Sequence, residues 1–415
     1  FSRQNPLGVL PVFRANQTGT EGVWATSAID ISSTGAAKIL MRFYTLEASS
    51  TDYVRAYYKV DGGPEVLFYE LIGGLLSGSL ETSVFVIGNS LEIIVRAMEN
   101  TAGNSFFGFG PPRAMGIDDV QIDLVPKVYS RANADWDQAS TWSTTGFTGL
   151  ADAPTPPTSG QIAVIGGGFT VNLDADATVG GVEVQNTGTI LYVDPGAIGI
   201  DLGIEGGLVR VYSGGIINGN SLANSRINFN QDIAGATLQV DAGGNVAIDD
   251  VALTTNANNF HYLAGAGSFT IGDDLLIGAV DATLTNNMTS TVTVTDRIEF
   301  SAGTTNASFV NNGTISAAAL IVNGDNGNSF TNASGATTNI GTIDLNNGNF
   351  TVNNSGTLNQ SGNFSNIDAG SNGNFNNLAT GVWNWTLTPN TTFDTSMGTV
   401  LDGSAAGNTF AYSGA

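Results

Sequence analysis

Apolar and polar positions alternate along the first third of the chain in the manner of half-buried strands. "AKILMRFYTLE" (37–47), "DYVRAYYKVDGG" (52–63), "SLEIIVRAME" (90–99) and "GIDDVQIDLV" (116–125) each show period-two patterning or β-branched enrichment. Gly and Ser/Thr turns separate them, and no stretch carries the 3.6-residue apolar period of an amphipathic helix. The spacing predicts an antiparallel β-sandwich over 1–126. Residues 127–159 then hold Trp136, Trp142 and the prolines 154, 156 and 157, which predict a linker with a folded clasp and a stiff, extended end.

From residue 160 onward the pattern shortens. Strand candidates such as "FTVNL" (169–173), "LVRVY" (208–212), "ATLQV" (236–240) and "TVTVT" (291–295) alternate with Gly, Asn and Asp turns. A repeat emerges later: "FVNNGTI" at Phe309, "FTNASGATTNI" at Phe330, "FTVNNSGTL" at Phe350 and "FNNLATGVW" at Phe375. The separations of 21, 20 and 25 residues match one turn of a β-solenoid, in which each strand stacks on its equivalent in the next turn. The prediction is a parallel β-helix over 160–415, with rungs of about 20–25 residues. About 12 rungs would give a length of roughly 55–60 Å at the ordinary strand spacing. Phe309, Phe330, Phe350 and Phe375 are expected to point inward as one internal stack. The asparagines should lie at corners and bond up and down in a ladder, with Gly at the sharp bends. The fold class is thus all-β.

Composition narrows the partners. Residues 1–131 carry 10 Lys or Arg against 13 Asp or Glu, whereas residues 132–415 carry 3 Arg, no Lys and 23 acids. So acidic a surface repels nucleic acid and anionic lipid and accepts divalent cations. No cysteine is present, which excludes disulfides and thiolate metal sites, and a single histidine excludes a His-rich zinc site. No apolar run approaches the ~18 residues that span a bilayer, so membrane insertion is not expected. Phe1 reads as the start of a processed chain and "NTFAYSGA" stops in strand-like sequence, as in a piece of a longer protein.

Chemistry is sparse. Polysaccharide lyases on β-helices use Arg or Lys beside carboxylates, and residues 160–415 offer only Arg210, Arg226 and Arg297. The acid pairs Asp174/Asp176, Asp249/Asp250 and Asp273/Asp274 resemble a glycosidase set only if they converge, and adjacent strand residues point to opposite faces. They read as solvated turn acids. His261 in "NNFHYLAG" reads as a strand-edge residue whose imidazole is exposed or satisfied. "DADATVGGVEVQ" (174–185) has Val179 where a calcium loop needs Gly and Gln185 where it needs Glu, so it is not an EF-hand. For glycan contact, Phe106, Phe107 and Phe109 in "GNSFFGFGPP" outrank Tyr53, Tyr57 and Tyr58, because loop aromatics are harder to explain as core. Trp136, Trp142, Trp383 and Trp385 read as caps or clasps.

The stretch "YSRANADWDQASTWS" (129–143), followed by "GQIAVIGGGFTVNLDADATVGGVEVQNTGTILYV" (160–193), resembles a pattern in large secreted surface proteins of Bacteroidota. Tyr129, Trp136, Trp142 and Ser143 carry the likeness, with the element "GTI" or "GTL" at Gly188, Gly313 and Gly356. "GVWATSAIDIS" (22–32), "YYKVDGG" (57–63) and "SLEIIVRAMEN" (90–100) resemble the lectin-like jelly rolls of the same proteins. The resemblance implies a right-handed helix, export by the type IX system and surface adhesion or gliding. It further implies a structural calcium ion between the last sandwich strand and an early loop, here Asp118 and Asp119 with Glu21. No other cofactor and no catalytic residue is expected. The reading is a secreted surface protein with adhesive function, in contact with an extracellular glycan or surface, itself or the secretion machinery. The alternatives are a carbohydrate-active enzyme on the β-helix and a subunit of an extracellular filament.

Overall fold

The structure is a computed structural model. It describes residues 20–46, 52–72, 78–98, 114–193, 199–219, 224–229, 235–254, 260–345, 349–365, 372–378 and 380–387. Five short strands, 2–4, 12–15, 393–394, 400–402 and 409–414, complete the described set. Within it lie only strands, turns and one 3₁₀ turn, Ala139–Thr141, and no helix is long and apolar enough to cross a membrane. The chain divides into two compact units, Phe1–Pro126 and a second that begins at Lys127.

The first unit is a pair of antiparallel sheets. One runs Ser2–Gln4, Val12–Ala15, Ala114–Leu124, Ala36–Leu46, Gly78–Ile87; the other runs Gly22–Ala25, Ser90–Met98, Tyr53–Val60, Val66–Ile72, with Ile29–Asp30 also on Ser90–Met98. Period-two alternation directs Ile39, Met41 and Phe43 of one sheet, and Val54, Ala56, Ile93 and Val95 of the other, into a shared core. Phe43 stacks on Tyr69 across it at 4.6 Å.

The second unit is a parallel β-solenoid with three faces. On the first face, Val128 pairs with Ala163, and the same register passes to Val182, Val209, Leu238 and Leu263. It continues through Asn286, Asn311, Asn332, Asn354 and Asn377. The second face stacks Val171, Ile190, Ile217, Val246, Phe269, Val292, Ile315, Thr338, Leu358 and Trp383. The third stacks Leu202, Ile227, Val251, Leu275, Ile298, Leu320, Ile343 and Phe364. All of these side chains are buried, Thr338 included, so the three stacks meet in one continuous core.

Two boundaries differ from expectation. Lys127–Ser130 pairs in parallel with Ile162–Ile165, so the solenoid starts at Lys127 and 127–159 is not a linker. Its Trp136 and Trp142 meet edge to face at 5.0 Å inside the solenoid core, with the Trp142 indole N–H donating to the Trp136 carbonyl at 2.8 Å. Large aromatics out of step with the 20–25-residue period disguised a first turn. The second difference is in the phenylalanine stack. Phe309 pairs directly with Phe330, their rings 5.5 Å apart, but Val352 takes the next place and Phe375 follows Val352. Phe350 opposes Asn328 instead, two residues earlier on the same face, and touches Phe300 at 5.1 Å. All four phenylalanines are buried, because a shift of two residues keeps a strand side chain on the same side.

The asparagine repeats have a direct physical reading. Five inward asparagines bond side chain to side chain: Asn286 to Asn311 at 2.8 Å, Asn311 to Asn332 at 3.1 Å, Asn332 to Asn354 at 2.8 Å and Asn354 to Asn377 at 2.7 Å. Each of the three middle amides also donates to a carbonyl one turn on, that of Thr337, Thr357 or Val382. At Asn286 and Asn311 the side-chain oxygen accepts the N–H two residues ahead, from Met288 and Gly313, which closes the corner. A buried amide is costly unless its donors and acceptor are used, and here they are. Gly214 and Gly243, at φ 78° and 85°, supply the left-handed corner in earlier turns that lack the asparagine.

Replacing Asn332 by Ala removes two rungs of the ladder and strands the groups above and below it. We expect a loss of about 3–5 kcal/mol, from roughly 1–3 kcal/mol per buried unsatisfied group. Asn359→Ala breaks a half-buried outer ladder, Asn384–Asn359–Asn339, and should cost under about 1 kcal/mol. Equal urea midpoints for the two variants would contradict the assignment.

Candidate functional site

A corner of the solenoid, between the second and third faces, gathers the chemistry. The residue pair just before the third-face stack is Asp249–Asp250, then Asp273–Asp274, then Asp296–Arg297 in successive turns, preceding Val251, Leu275 and Ile298. Backbone bonds step through the corner: Asp273 N–H donates to the Asp249 carbonyl at 2.8 Å, and Asp296 N–H to the Asp273 carbonyl at 3.1 Å. Because a corner breaks strand alternation and stacking superposes like positions, the aspartates converge. Carboxylate oxygens of Asp249, Asp250 and Asp273 lie within 4.8 Å of one another, as do those of Asp273, Asp274 and Asp296.

The partners are unevenly shared. Asp250 is buried and fully engaged: Arg226 donates to Oδ2 at 3.1 Å and the Asp274 N–H to Oδ1 at 3.2 Å. Asp249 accepts the Asn224 N–H. Arg297 reaches Asp274 Oδ2 at 2.8 Å, Glu299 at 2.7 Å and Asp296 at 3.5 Å. Asp274 is only 6% exposed and its Oδ1 has no hydrogen-bond partner. Burial, partly opposed by Arg297, pushes the Asp274 carboxyl up to about 7. Burial first, and then the neighbouring carboxylates of Asp250, Asp249 and Asp296, raise Asp273 as well, opposed by the Arg297 charge. Burial raises Asp249 too. These residues stood in the sequence as separate turn acids. The signal that joins them is an Asp at the same corner offset 24 and then 23 residues apart.

A second polar strip lies on the first face. Lys127 pairs with buried Glu183 at 2.6 Å, Tyr212 donates to Glu183 at 3.4 Å, and Arg210 stacks on Tyr212 at 4.4 Å while bonding Asp241 at 3.1 Å. Burial first, then the Glu183 charge, pushes Tyr212 up to about 12, so its phenol stays protonated near neutrality.

The other residues singled out in the sequence fall elsewhere. Glu21 accepts the Tyr53 hydroxyl at 2.6 Å and pairs with Arg96 at 3.0 Å; the Tyr53 bond leads in holding its carboxyl below the usual range. Asp119 is exposed in the opposite sheet, in register with Arg42, and the Asp118 side chain lies outside the described set. Phe106, Phe107 and Phe109 also lie outside the described residues. Tyr53 and Tyr57 lie beneath Arg55 and Arg96 at 4.4 and 5.6 Å. Trp383 and Trp385 are core, stacked 5.6 Å apart. Asp176 accepts the Asp201 N–H at 2.9 Å, one turn away.

His261 is a correction. It is wholly buried, in register with Leu284 of the next turn, because period-two alternation turns it inward. Nδ1 accepts the Ala236 N–H at 3.0 Å, and Nε2 has no hydrogen-bond partner among the described residues. Burial pushes the imidazole down to about 4. It is walled by Phe229, Ala236, Leu238, Val251, Leu275 and Leu284.

No protein-family model matches the chain, and no curated protein does either.

The buried imidazole makes the fold acid-sensitive in a defined way. Its folded pKa lies below the unfolded value of 6.5, so between about pH 6.5 and 4 only the unfolded chain takes the proton. This contribution to stability is complete above that window and is lost as pH falls through it, by about 2 kcal/mol between pH 7.5 and 5. His261→Asn keeps an acceptor for Ala236 but does not titrate. Denaturant midpoints should therefore fall less between pH 7.5 and 5 in the variant than in the parent, whatever the variant's absolute stability. Parallel profiles would refute the assignment.

Proposed function

We propose that the chain is a secreted cell-surface protein with a structural and adhesive role. In this reading the solenoid is a right-handed helical stalk, and a jelly-roll-like sandwich makes the contact with an extracellular glycan or surface. The observation that carries it is the unbroken in-register stack of three faces, with the asparagine ladder bonded through the core. Such a stack resists local opening without disulfides, since each turn is held by both neighbours. The resemblance to Bacteroidota surface proteins supports the same reading. The first-face strip favours it too: its charges are internally paired and its tyrosine is held neutral, which suits neither a base nor a nucleophile.

One observation favours an enzymatic reading as well. Asp274, raised to about 7, lies beside Asp273 and Arg297, a pairing of acid, carboxylate and cation that glycan hydrolysis or elimination can use.

A single experiment separates the two. The protein is incubated with immobilised glycans and with a panel of soluble polysaccharides. Retention on at least one surface, with no new reducing ends or unsaturated sugars, is the expected result. Sugar release that disappears in a folded Asp274→Asn variant would replace the adhesive reading by the enzymatic one. Neither retention nor release would remove both.

A further inference from the structure

We propose that the corner formed by Asp273, Asp274 and Asp296, with Asp249 and Asp250 one turn away, is a binding site for a divalent cation, calcium by its chemistry. Oxygens that share one calcium at about 2.4 Å lie at most ~4.8 Å apart, and both aspartate triads meet that limit, with Asp273 in each. The donors are hard carboxylates without a nitrogen or sulfur ligand, which suits calcium over zinc.

Three further observations separate this corner from an ordinary acidic patch. Asp274 is more than nine-tenths buried, and its Oδ1 has no hydrogen-bond partner among the described residues. Among the described residues the Asp273 carboxylate accepts no hydrogen bond, and the carboxylates of Asp249, Asp250, Asp274 and Asp296 surround it in the two triads. The backbone does not demand acids here either. In the next two turns the same pair of positions holds Ala318–Ala319 and Gly341–Thr342, before Leu320 and Ile343. Five aspartates face two arginines across these three turns, so charge remains for a cation after Arg226 and Arg297 are counted. Arg297 braces one side of the site by holding Asp274 Oδ2 and Glu299, which leaves Asp274 Oδ1 to the ion. Magnesium, which demands compact octahedral geometry and keeps its waters, should bind less tightly.

The site belongs to the solenoid unit, whereas Glu21, Asp118 and Asp119 belong to the sandwich unit, so it does not rest on the adhesive reading. The test uses the whole chain, stripped with chelator and dialysed into 150 mM NaCl, a concentration of about physiological ionic strength that screens diffuse attraction. Calcium chloride is titrated calorimetrically, with magnesium chloride in parallel, and melting is followed with and without calcium. Saturable calcium binding and a raised melting temperature are expected. Asp273→Asn, a near-isosteric change at a carboxylate without hydrogen bonds, should weaken binding about tenfold or more, since affinity follows ligand charge. Asp344→Asn, elsewhere in the solenoid, and Glu21→Gln, in the sandwich, should leave it unchanged. No saturable binding, or binding that survives Asp273→Asn in a protein with parental circular dichroism, would overturn the proposal. Loss in Glu21→Gln alone would overturn it too, and would move the ion to the sandwich.

Discussion

In-register parallel stacking is the constraint on which the rest of the second unit depends. A single turn of this chain buries too little to stand alone, so each position inherits its environment from the turns above and below. That is why the first-face column can change from Val, Val and Leu to five asparagines without a break. An isolated amide in such a core would be destabilising, but a column of them satisfies itself. The ladder also imposes register, because a slip of one residue would turn every asparagine outward and every outer Thr or Ser inward.

The same superposition produces the aspartate corner. Stacking multiplies whatever a corner holds: amides repeat into a ladder, small residues into a smooth bend, and carboxylates into mutual repulsion. The first two are self-consistent, and the third is not. Arg226 and Arg297 relieve it in part, burial first and the neighbouring carboxylates after it raise Asp273 and Asp274, and a divalent cation would relieve the repulsion further.

The buried histidine is the counterpart in the apolar half of the core. His261 occupies a column position held by Leu284 one turn later, gains one hydrogen bond and forfeits its charge. It packs in the core, and its titration bears on the stability of the fold.

The amino-acid sequence alone determined the class of structure. Period-two alternation specified strands and their inward faces, and the 20–25-residue recurrence of Phe and Asn specified a solenoid, since both are local patterns that backbone geometry translates directly. It also placed the Asn–Gly corners. The tertiary structure decided everything that depends on which turn lies over which. The tryptophan-bearing stretch became the first turn because Lys127–Ser130 found a parallel partner at Ile162–Ile165, a pairing that no periodicity announces. Phe350 lies outside the column of Phe309 and Phe330 because it stands four residues before its asparagine, Asn354, where those stand two before Asn311 and Asn332; a two-residue displacement preserves burial and is therefore invisible to an apolar pattern. Asp273 came to share one triad with Asp249 and Asp250 and another with Asp274 and Asp296 because a corner suspends strand alternation, and distance along the chain then ceases to measure distance in space.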